Sequence, residues 1–314
     1  MKIYKKTLLY HQFPQPGKIE IKITKLINKN KHILMAYTPG VAYPVLEIKK
    51  NINNIYKYTS KGNLVAVITN GSAILGLGNL GPEAAKPVME GKAVLFKHFA
   101  NIDVFDIEIK AKNYQKFIDT IINISPTFGG INLEDIKAPE CFEIEKILKQ
   151  KLKIPVFHDD QHGTAIVIIA AIMNSLFIQQ RKINKEKIMI LGAGSAGIAT
   201  AKLLIKIGAK KKNITMIDTK GIINNLRENL NIYKKQFAIK TNNTSINDII
   251  KNINIIIGVA SSDLLNINHI KKIKKNTIML TLSNPNPEIN PQIIKNTRPD
   301  IILATGRSDY KNQV

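Results

Sequence analysis

The chain has 314 residues, enough for two domains with sizeable cores. It is 44% hydrophobic and 22% charged, which is ordinary for a globular protein and excludes a disordered or collagen-like chain. The formal net charge is +23, but only four of the 46 basic residues are arginine, the residue that forks onto phosphates. Because the lysines are scattered, we interpret them as a solvated surface and expect no specific nucleic-acid partner.

Three further features bear on compartment and membrane. A single cysteine, Cys141, excludes an internal disulfide and a metal site built from several cysteines, and it fits a reducing cytoplasm. The N-terminus is basic but has no apolar run behind it, so no signal peptide is expected. The longest apolar run, residues 163–178, is shorter than the roughly 20 residues of a membrane span. We therefore predict that it is a buried helix, and we expect no membrane partner.

Strand-like and helix-like runs alternate along the chain from residue 64 onwards. The predicted strands of the first half are 64–69, 104–109 and 156–157, and its predicted helices are 114–124 and 141–152. The predicted strands of the second half are 187–191, 214–217, 253–259, 277–282 and 301–304. Alternating strands and helices predict an α/β fold with parallel sheets covered on both faces. The domain boundary is expected between residues 160 and 180.

A glycine-rich turn follows the first strand of the second half. The stretch IMILGAGSAGIA carries Gly192, Gly194 and Gly197 as G-x-G-x-x-G between an apolar strand and an apolar helix. In dinucleotide-binding turns these glycines permit the tight turn, the approach of the pyrophosphate and helix–strand packing. Asp218 ends the next strand, where a carboxylate would hold ribose hydroxyls, which favours NAD. Lys220 could instead receive a 2′-phosphate, so NAD and NADP both stay open.

Two acidic pairs follow predicted strands of the first half. Glu134 and Asp135 come after the run GGIN, and Asp159 and Asp160 lie within VFHDDQHGTA. Three or four carboxylates could converge where these strands end, and hard oxygen ligands of this kind suit Mg²⁺ or Mn²⁺. Adjacent acids are more often helix N-caps, and Asp160 does precede a helix.

The sequence resembles malic enzymes of the bacterial type. The resemblance runs in order from about residue 11 to the end and is carried by short blocks. These blocks are AYTPGVA (36–42), TNGSAILGLGNLG (69–81), GKAVLFK (91–97), INLEDIKAP (131–139), FHDDQHGTA (157–165), SNP (283–285) and ATGRSDY (304–310). The resemblance implies metal-dependent oxidative decarboxylation of L-malate to pyruvate and CO₂ with reduction of NAD or NADP.

The resemblance also implies residue roles. The metal ligands correspond to Glu134, Asp135 and Asp160, with Asp159 adjacent. The catalytic tyrosine and lysine correspond to Tyr37 and Lys92, and a substrate-contacting asparagine, which we group with the cofactor site, corresponds to Asn284. A neutral Lys92 would take the hydroxyl proton of malate, and Tyr37 would protonate C3.

The same resemblance implies the domain organisation and assembly. We expect an N-terminal domain for substrate and metal over residues 1–162 and a Rossmann-type NAD(P)-binding domain over residues 163–314. We also expect a homo-oligomer, namely a dimer, in the cytoplasm.

Two departures from the family pattern leave alternatives open. Some malic enzymes carry a malate-binding Arg in the loop after the first strand, where this chain reads Gly71-Ser72-Ala73. The chain also stops where relatives continue with an Asn-Asn pair and further helices, so we expect a C-terminally short form. The alternatives are another metal-dependent 2-hydroxy-acid or amino-acid dehydrogenase, and a weakly active or non-catalytic fragment that still binds nucleotide and metal.

Overall fold

The computed structural model describes residues 2–75, 77–262, 264–284 and 286–314. Gly76 and Pro285, which belong to two of the blocks quoted above, lie outside the described residues. The chain divides into two compact units. The first contains the residues up to Ser72, Leu80–Glu134 and Glu145–Phe157, and the second contains Ala73–Asn79, Asp135–Ile144 and His158–Val314. The boundary at residues 162 and 163 stays a prediction.

Four α-helices and two short 3₁₀ helices precede the first strand among the described residues, and strands and α-helices then alternate up to residue 158. The elements up to residue 158 are α1 (Lys2–Gln12), α2 (Asn30–Ala36), α3 (Ala42–Lys50), α4 (Ile55–Tyr58), β1 (Leu64–Thr69), α5 (Pro82–Ala100), β2 (Asp103–Glu108), α6 (Tyr114–Ile124), β3 (Gly130–Leu133), α7 (Glu140–Lys151) and β4 (Val156–His158). The four strands form one sheet in the order β2-β1-β3-β4, and β1 pairs in parallel with both β2 and β3.

Burial along these elements follows their position in the sheet. β1 is a central strand, and its residues Ala66, Val67 and Ile68 are fully buried, as expected for a parallel strand covered on both faces. α6 presents Phe117, Ile118 and Ile121 to the core at helical spacing. The residues that follow the carboxyl ends of these strands are therefore held on a rigid frame.

The second sheet has six strands. Its elements and the helices between them are α8 (Thr164–Ile178), β5 (Ile188–Leu191), α9 (Ser195–Lys206), β6 (Ile214–Asp218), β7 (Gly221–Ile222), α10 (Ile232–Lys235), α11 (Ile246–Ile249), β8 (Ile255–Gly258), α12 (Ile267–Lys272), β9 (Ile278–Thr281), α13 (Pro291–Thr297) and β10 (Ile302–Thr305). The strand order is β10-β9-β8-β5-β6-β7. All pairs are parallel except β6–β7, which form a short antiparallel hairpin.

This topology confirms the predicted α/β fold with a Rossmann-type sheet. The chain runs from β5 to β6 on one side and then returns to β8 on the other side of β5. Such a reversal of strand order opens a crevice at the carboxyl ends of the strands, where doubly wound sheets bind their ligands. The turn after β5 therefore lies at the position expected for a nucleotide.

One helical segment, Asp159–Ile178, has the length and apolar character to cross a membrane, a test that the core helix of a soluble protein also passes. Its buried residues include Ala165, Ile168, Ile169 and Ile172, which share one helix face. The other side of the helix is exposed and carries apolar side chains such as Ile166, Met173 and Phe177. The prediction of a buried helix is therefore met on one face only, and 39% of the segment is buried.

Candidate active site

Three carboxylates come together in the structure. Glu134 and Asp135 are buried and Asp160 is partly buried, and one oxygen from each lies within 4.8 Å of the others. These are the three residues that the sequence predicted as metal ligands. Carboxylates held this close repel one another unless a cation or protons neutralise them. The donor set, three hard anionic oxygens, fits Mg²⁺ or Mn²⁺ with water or substrate completing the coordination.

The backbone around Asp135 holds two of these carboxylates in position. Asp135 has φ +53°, in the left-handed region that a residue with a side chain seldom adopts. Its backbone N–H donates to Asp160 Oδ2 at 2.9 Å, and its carbonyl accepts from the Ala73 N–H at 3.0 Å. These bonds hold the turn in its strained form, and strain of this kind is concentrated at functional sites.

Glu134 follows β3 directly and is oriented by its neighbours. Its Oε2 accepts from Asn132 Nδ2 at 2.9 Å, and Lys92 Nζ lies 3.1 Å from its Oε1. Lys92 lies on α5, and its side chain is 20% exposed. The structure thus brings the predicted catalytic lysine to the predicted metal ligands. A lysine at this position could act as a proton donor or acceptor for a substrate held at these carboxylates.

Asp160 lies on an unusual turn between β4 and α8. Residues Asp159–Gly163 form a π-helical turn, a geometry that is frequent at functional sites. A Cβ at Gly163 would lie 2.5 Å from Asp159 Oδ1, so a larger residue there would push the Asp159 carboxylate aside. The same turn directs Asp160 to the cluster, which contains Asp160 and not Asp159.

Two other predicted site residues are exposed in the structure. Tyr37 ends α2 with its side chain 72% exposed, and no hydrogen bond of its hydroxyl is seen among the described residues. Asn284 is exposed in the loop after β9. Their roles stay predictions.

The three glycines after β5 differ in what surrounds them. Gly192 has φ +113°, and a Cβ there would lie 2.6 Å from the Val259 carbonyl oxygen. A Cβ on Gly197 would collide with the Gly192 carbonyl, so this residue is needed for α9 to approach the turn. Beside Gly194 there is open space. These surroundings fit the roles of glycine in a dinucleotide-binding turn, where the open position admits the pyrophosphate.

Asp218 ends β6, and its carboxylate is surrounded by donors. Arg227 Nη1 and Nη2 donate to Oδ1 and Oδ2 at 2.9 and 3.0 Å, Lys234 Nζ donates to Oδ2 at 2.7 Å, and the Lys220 N–H donates to Oδ1 at 2.9 Å. Burial by itself would raise the pKa of Asp218, but the bonds from Arg227, Lys234 and Lys220 outweigh it and lower the pKa to about 2. Asp218 is therefore ionised and firmly paired.

The comparison with known families agrees with this geometry. The malic enzyme N-terminal domain matches residues 16–149, and the malic enzyme NAD-binding domain matches residues 161–312. This chain belongs to the malic enzyme family. The resemblance recognised in the sequence is thereby confirmed.

Individual malic enzymes show how far the similarity extends. The NADP-dependent malic enzyme of Halomonas elongata is 52% identical over 305 residues, which are 97% of this chain and 72% of that protein. The NAD-dependent malic enzyme of Rhizobium meliloti is 47% identical over 313 residues, 99% of this chain and 41% of that protein. The crystal structure of malic enzyme from Pyrococcus horikoshii superposes with a TM-score of 0.92 at 42% identity, covering 99% of this chain and 75% of that one.

Several residues at the sites of this malic enzyme chain escaped the sequence analysis. Asn132 lies on β3, two residues before Glu134, which follows the strand directly. Because side chains alternate along a strand, the sequence could have placed Asn132 and Glu134 on one face. Arg227 is one of only four arginines in a chain with 42 lysines. An arginine in such a chain could have indicated a position where the planar guanidinium group must donate two hydrogen bonds to one carboxylate. Lys234 left no comparable signal.

A buried glutamate at the ends of β8 and β9 also escaped the sequence analysis. Glu288 is fully buried and accepts from the Ser283 hydroxyl and from the backbone N–H groups of Ser283 and Ala260. Gly258 leaves the room that this carboxylate fills. Burial raises the pKa of Glu288 despite these bonds. Glu288 thus ties together the loops that follow two adjacent strands of the sheet, including the loop of Asn284.

Proposed function

We propose that this chain catalyses the oxidative decarboxylation of L-malate to pyruvate and CO₂ with reduction of NAD(P), in the cytoplasm. The observation that carries the proposal is the position of Lys92 Nζ, 3.1 Å from Glu134 within a group of three convergent carboxylates. A base beside a divalent-metal site is what removal of a proton from a 2-hydroxy acid requires.

The residues of the chain would divide the reaction as follows. Glu134, Asp135 and Asp160 would hold Mg²⁺ or Mn²⁺, and the metal would supply the positive charge that makes the hydroxyl group of malate more acidic. Lys92 would take the hydroxyl proton of malate, and bound NAD⁺ or NADP⁺ would accept the hydride from C2, so that malate becomes the 2-keto acid. The bond between C3 and the C4 carboxylate then breaks, CO₂ leaves, and Tyr37 supplies the proton that converts enolpyruvate to pyruvate.

The proposal is tested by malate-dependent reduction of NAD⁺ and NADP⁺ by the purified chain with Mn²⁺. We expect saturable turnover that is lost with EDTA and restored by Mn²⁺. A panel of other 2-hydroxy acids and amino acids should give at least about tenfold lower kcat/KM, a difference of roughly 1.4 kcal/mol in transition-state binding. Nucleotide and metal binding without malate turnover would instead favour the non-catalytic alternative.

The nucleotide site can be tested by two glycine substitutions on the same turn. Gly194→Ala places a methyl group in open space, so we expect normal folding but weakened NAD(P)H binding. Gly197→Ala meets the Gly192 carbonyl, so we expect loss of thermal stability as well. Tm and NAD(P)H fluorescence distinguish the two. A Gly194→Ala variant that binds nucleotide normally would oppose a pyrophosphate at this turn.

The exposed N-terminal residues support a homodimer. None of residues 3–60 is buried, although the stretch carries large apolar side chains such as Leu34, Tyr37 and Leu46. Its helices have at most 11 residues, too few to be stable alone in water. We therefore propose that a second copy of the chain covers this segment. Sedimentation should show a dimer that Leu34→Glu and Leu46→Glu weaken, and a monomer for the unaltered chain would contradict the proposal.

A further inference from the structure

A cavity of about 740 Å³ lies at the amino-terminal ends of three strands of the six-stranded sheet. Its lining includes Lys187 before β5, residues 211–213 before β6 and Ile253 shortly before β8. The segment 237–241, which follows α10, forms another side of the cavity. Lys187 and Gly192 lie at opposite ends of β5, and a strand of four residues spans roughly 13 Å. The cavity is therefore separate from the glycine turn and from the crevice at the carboxyl ends of the strands.

The cavity carries an excess of positive charge. Four of its lining residues are lysines, namely Lys187, Lys211, Lys212 and Lys240. Asp248 is the only acid among the described residues that line it, and its carboxylate caps α11 by accepting from the Thr244 and Ser245 N–H groups. Within the part of the chain that the structure describes, none of the four ammonium groups has a hydrogen-bond or ion-pair partner. A concave surface lined by one sign of charge attracts ligands of the opposite sign, so the cavity favours an anion.

Another part of the lining is apolar. Phe237 and Ile253 are buried, and Ala238, Ile239 and Ile249 are partly buried. Sites for small molecules combine apolar walls with a few charged or polar groups, and their volumes are roughly 300–1,000 Å³. The volume of this cavity, about 740 Å³, lies within that range. The cavity therefore fits a small molecule that has an apolar or planar part besides its negative charge.

The kind of cation narrows the class of anion. Arginine binds carboxylates through two parallel hydrogen bonds, whereas lysine is a flexible point charge of the kind that binds phosphate. No arginine is among the described residues that line the cavity. Its four lysines come from three separate segments, which are the start of β5, the turn before β6 and the segment after α10. Point charges distributed in this way suit a ligand with more than one phosphate group.

We propose that this cavity binds a small molecule that carries two or more phosphate groups and an apolar or planar part. The site is additional to the metal and coenzyme sites, and neither the malate reaction nor a particular coenzyme is needed for it. A bound ligand would connect the segment 237–241 to the starts of β5 and β6. Because the ligand binds only the folded chain, it would also raise the thermal stability of the protein.

Uridine diphosphate is a suitable probe, because it joins a planar base to two phosphate groups. The full chain is first saturated with NADPH, which occupies the glycine turn, and EDTA removes divalent metal. Calorimetric titration should then show one saturable site for uridine diphosphate, and Tm should rise with its concentration.

Two simpler ligands test the two parts of the proposed ligand. Pyrophosphate lacks the planar base, and uridine lacks the charge, so each should bind at least about tenfold more weakly than uridine diphosphate. Absence of saturable binding of uridine diphosphate would overturn the proposal. Equal affinity for uridine diphosphate and pyrophosphate would contradict the role given to the apolar lining.

Two matched double variants separate the cavity from the general positive charge of the chain. Lys212→Met with Lys240→Met removes two charges from the cavity and should weaken binding of uridine diphosphate at least about tenfold. Lys271→Met with Lys275→Met removes the same charge from exposed lysines outside the cavity, and screening by salt should limit its effect to about twofold or less. Both variants should keep the Tm of the ligand-free parent and its affinity for NADPH. An equal loss of affinity for uridine diphosphate in the two variants would show that overall charge attracts it, and would contradict the proposal.

Discussion

The acidic cluster of Glu134, Asp135 and Asp160 and the group around Asp218 are both built from carboxylates that follow parallel strands, but their charge balance is opposite. In the acidic cluster one oxygen from each of three carboxylates lies within 4.8 Å of the others, and the amino group of Lys92 lies beside Glu134. At Asp218 a single carboxylate is bound by two cations and a backbone N–H.

This difference shows how a chain determines the charge of the ligand that it binds. Buried or partly buried charges must be neutralised, either by the protein or by a ligand. The three acids leave an excess of negative charge that a divalent cation would neutralise. The Asp218 group leaves an excess of positive charge that an anion would neutralise. Substitutions at the two places should therefore have opposite effects on the ligand-free protein.

The largest effect is expected for Asp160→Asn. One of three anionic ligands is lost, so Mn²⁺ affinity should fall by more than the roughly 10–100-fold that loss of an outer-shell partner costs, and metal-dependent turnover should vanish. The metal-free protein should be as stable as the parent or more so, because one repulsive charge is removed. Mn²⁺ titration and Tm measure the two effects, and Asp119→Asn on α6 is the control. Normal metal-dependent turnover would show that Asp160 is not a ligand.

Lys92→Ala should have the next largest effect. Removal of a group that transfers a proton should slow malate oxidation and oxaloacetate decarboxylation by roughly 10²-fold or more. Lys97→Ala is the matched control, because Lys97 lies on the same helix and makes an exposed ion pair with Asp103. Steady-state kinetics of both half-reactions measure the effect, and a Lys92→Ala enzyme as active as the Lys97→Ala enzyme would rule out the base role.

Asp218→Asn should destabilise the fold, in contrast to Asp160→Asn. The pKa of Asp218 is lowered to about 2 from 3.8, so its stabilisation is present above about pH 4 and is lost as the pH falls through 2. After allowance for solvent screening we expect a loss of about 1–2 kcal/mol at neutral pH. Asp309→Asn, which breaks the exposed Arg307 pair, should cost almost nothing. Urea unfolding at pH 7 and at pH 3 compares the two, and equal stabilities would contradict the assignment.

The smallest effect is expected for Glu288→Gln. Glu288 is a third kind of carboxylate, because the groups that donate hydrogen bonds to it are uncharged. Burial raises the pKa of Glu288, so the folded protein favours the protonated form of this side chain. The contribution of Glu288 to the stability of the fold therefore decreases as the pH rises. A neutral glutamine should therefore leave Tm at pH 7 unchanged or slightly higher. Glu288→Ala should cost about 1–3 kcal/mol, because it leaves buried N–H donors without an acceptor. A large destabilisation by Gln would show that the negative charge itself is required.

The four arginines illustrate how far a sequence alone could lead. Each of them donates hydrogen bonds from two nitrogens to one carboxylate, as Arg298 does to Asp300 and Arg307 to Asp309. Those two pairs are separated by two residues and are readable from the sequence. Arg227 pairs with Asp218 across nine residues and around the β7 hairpin, which was not predicted. Pairings of this kind depend on where the chain turns, and that information is not local.

The sequence by itself determined the strands other than β7, the glycine turn, the acidic pairs and the family, because periodicity, glycine spacing and short motifs are properties of neighbouring residues. Only the tertiary structure placed Asp135 against Asp160, 25 residues apart, and Lys92 against Glu134. It also left Tyr37 exposed and surrounded Asp218 with cations. These arrangements depend on contacts between segments that are far apart in the sequence. The net charge of a site is the sum of the charges that such contacts bring together, so no local pattern in the chain could specify it.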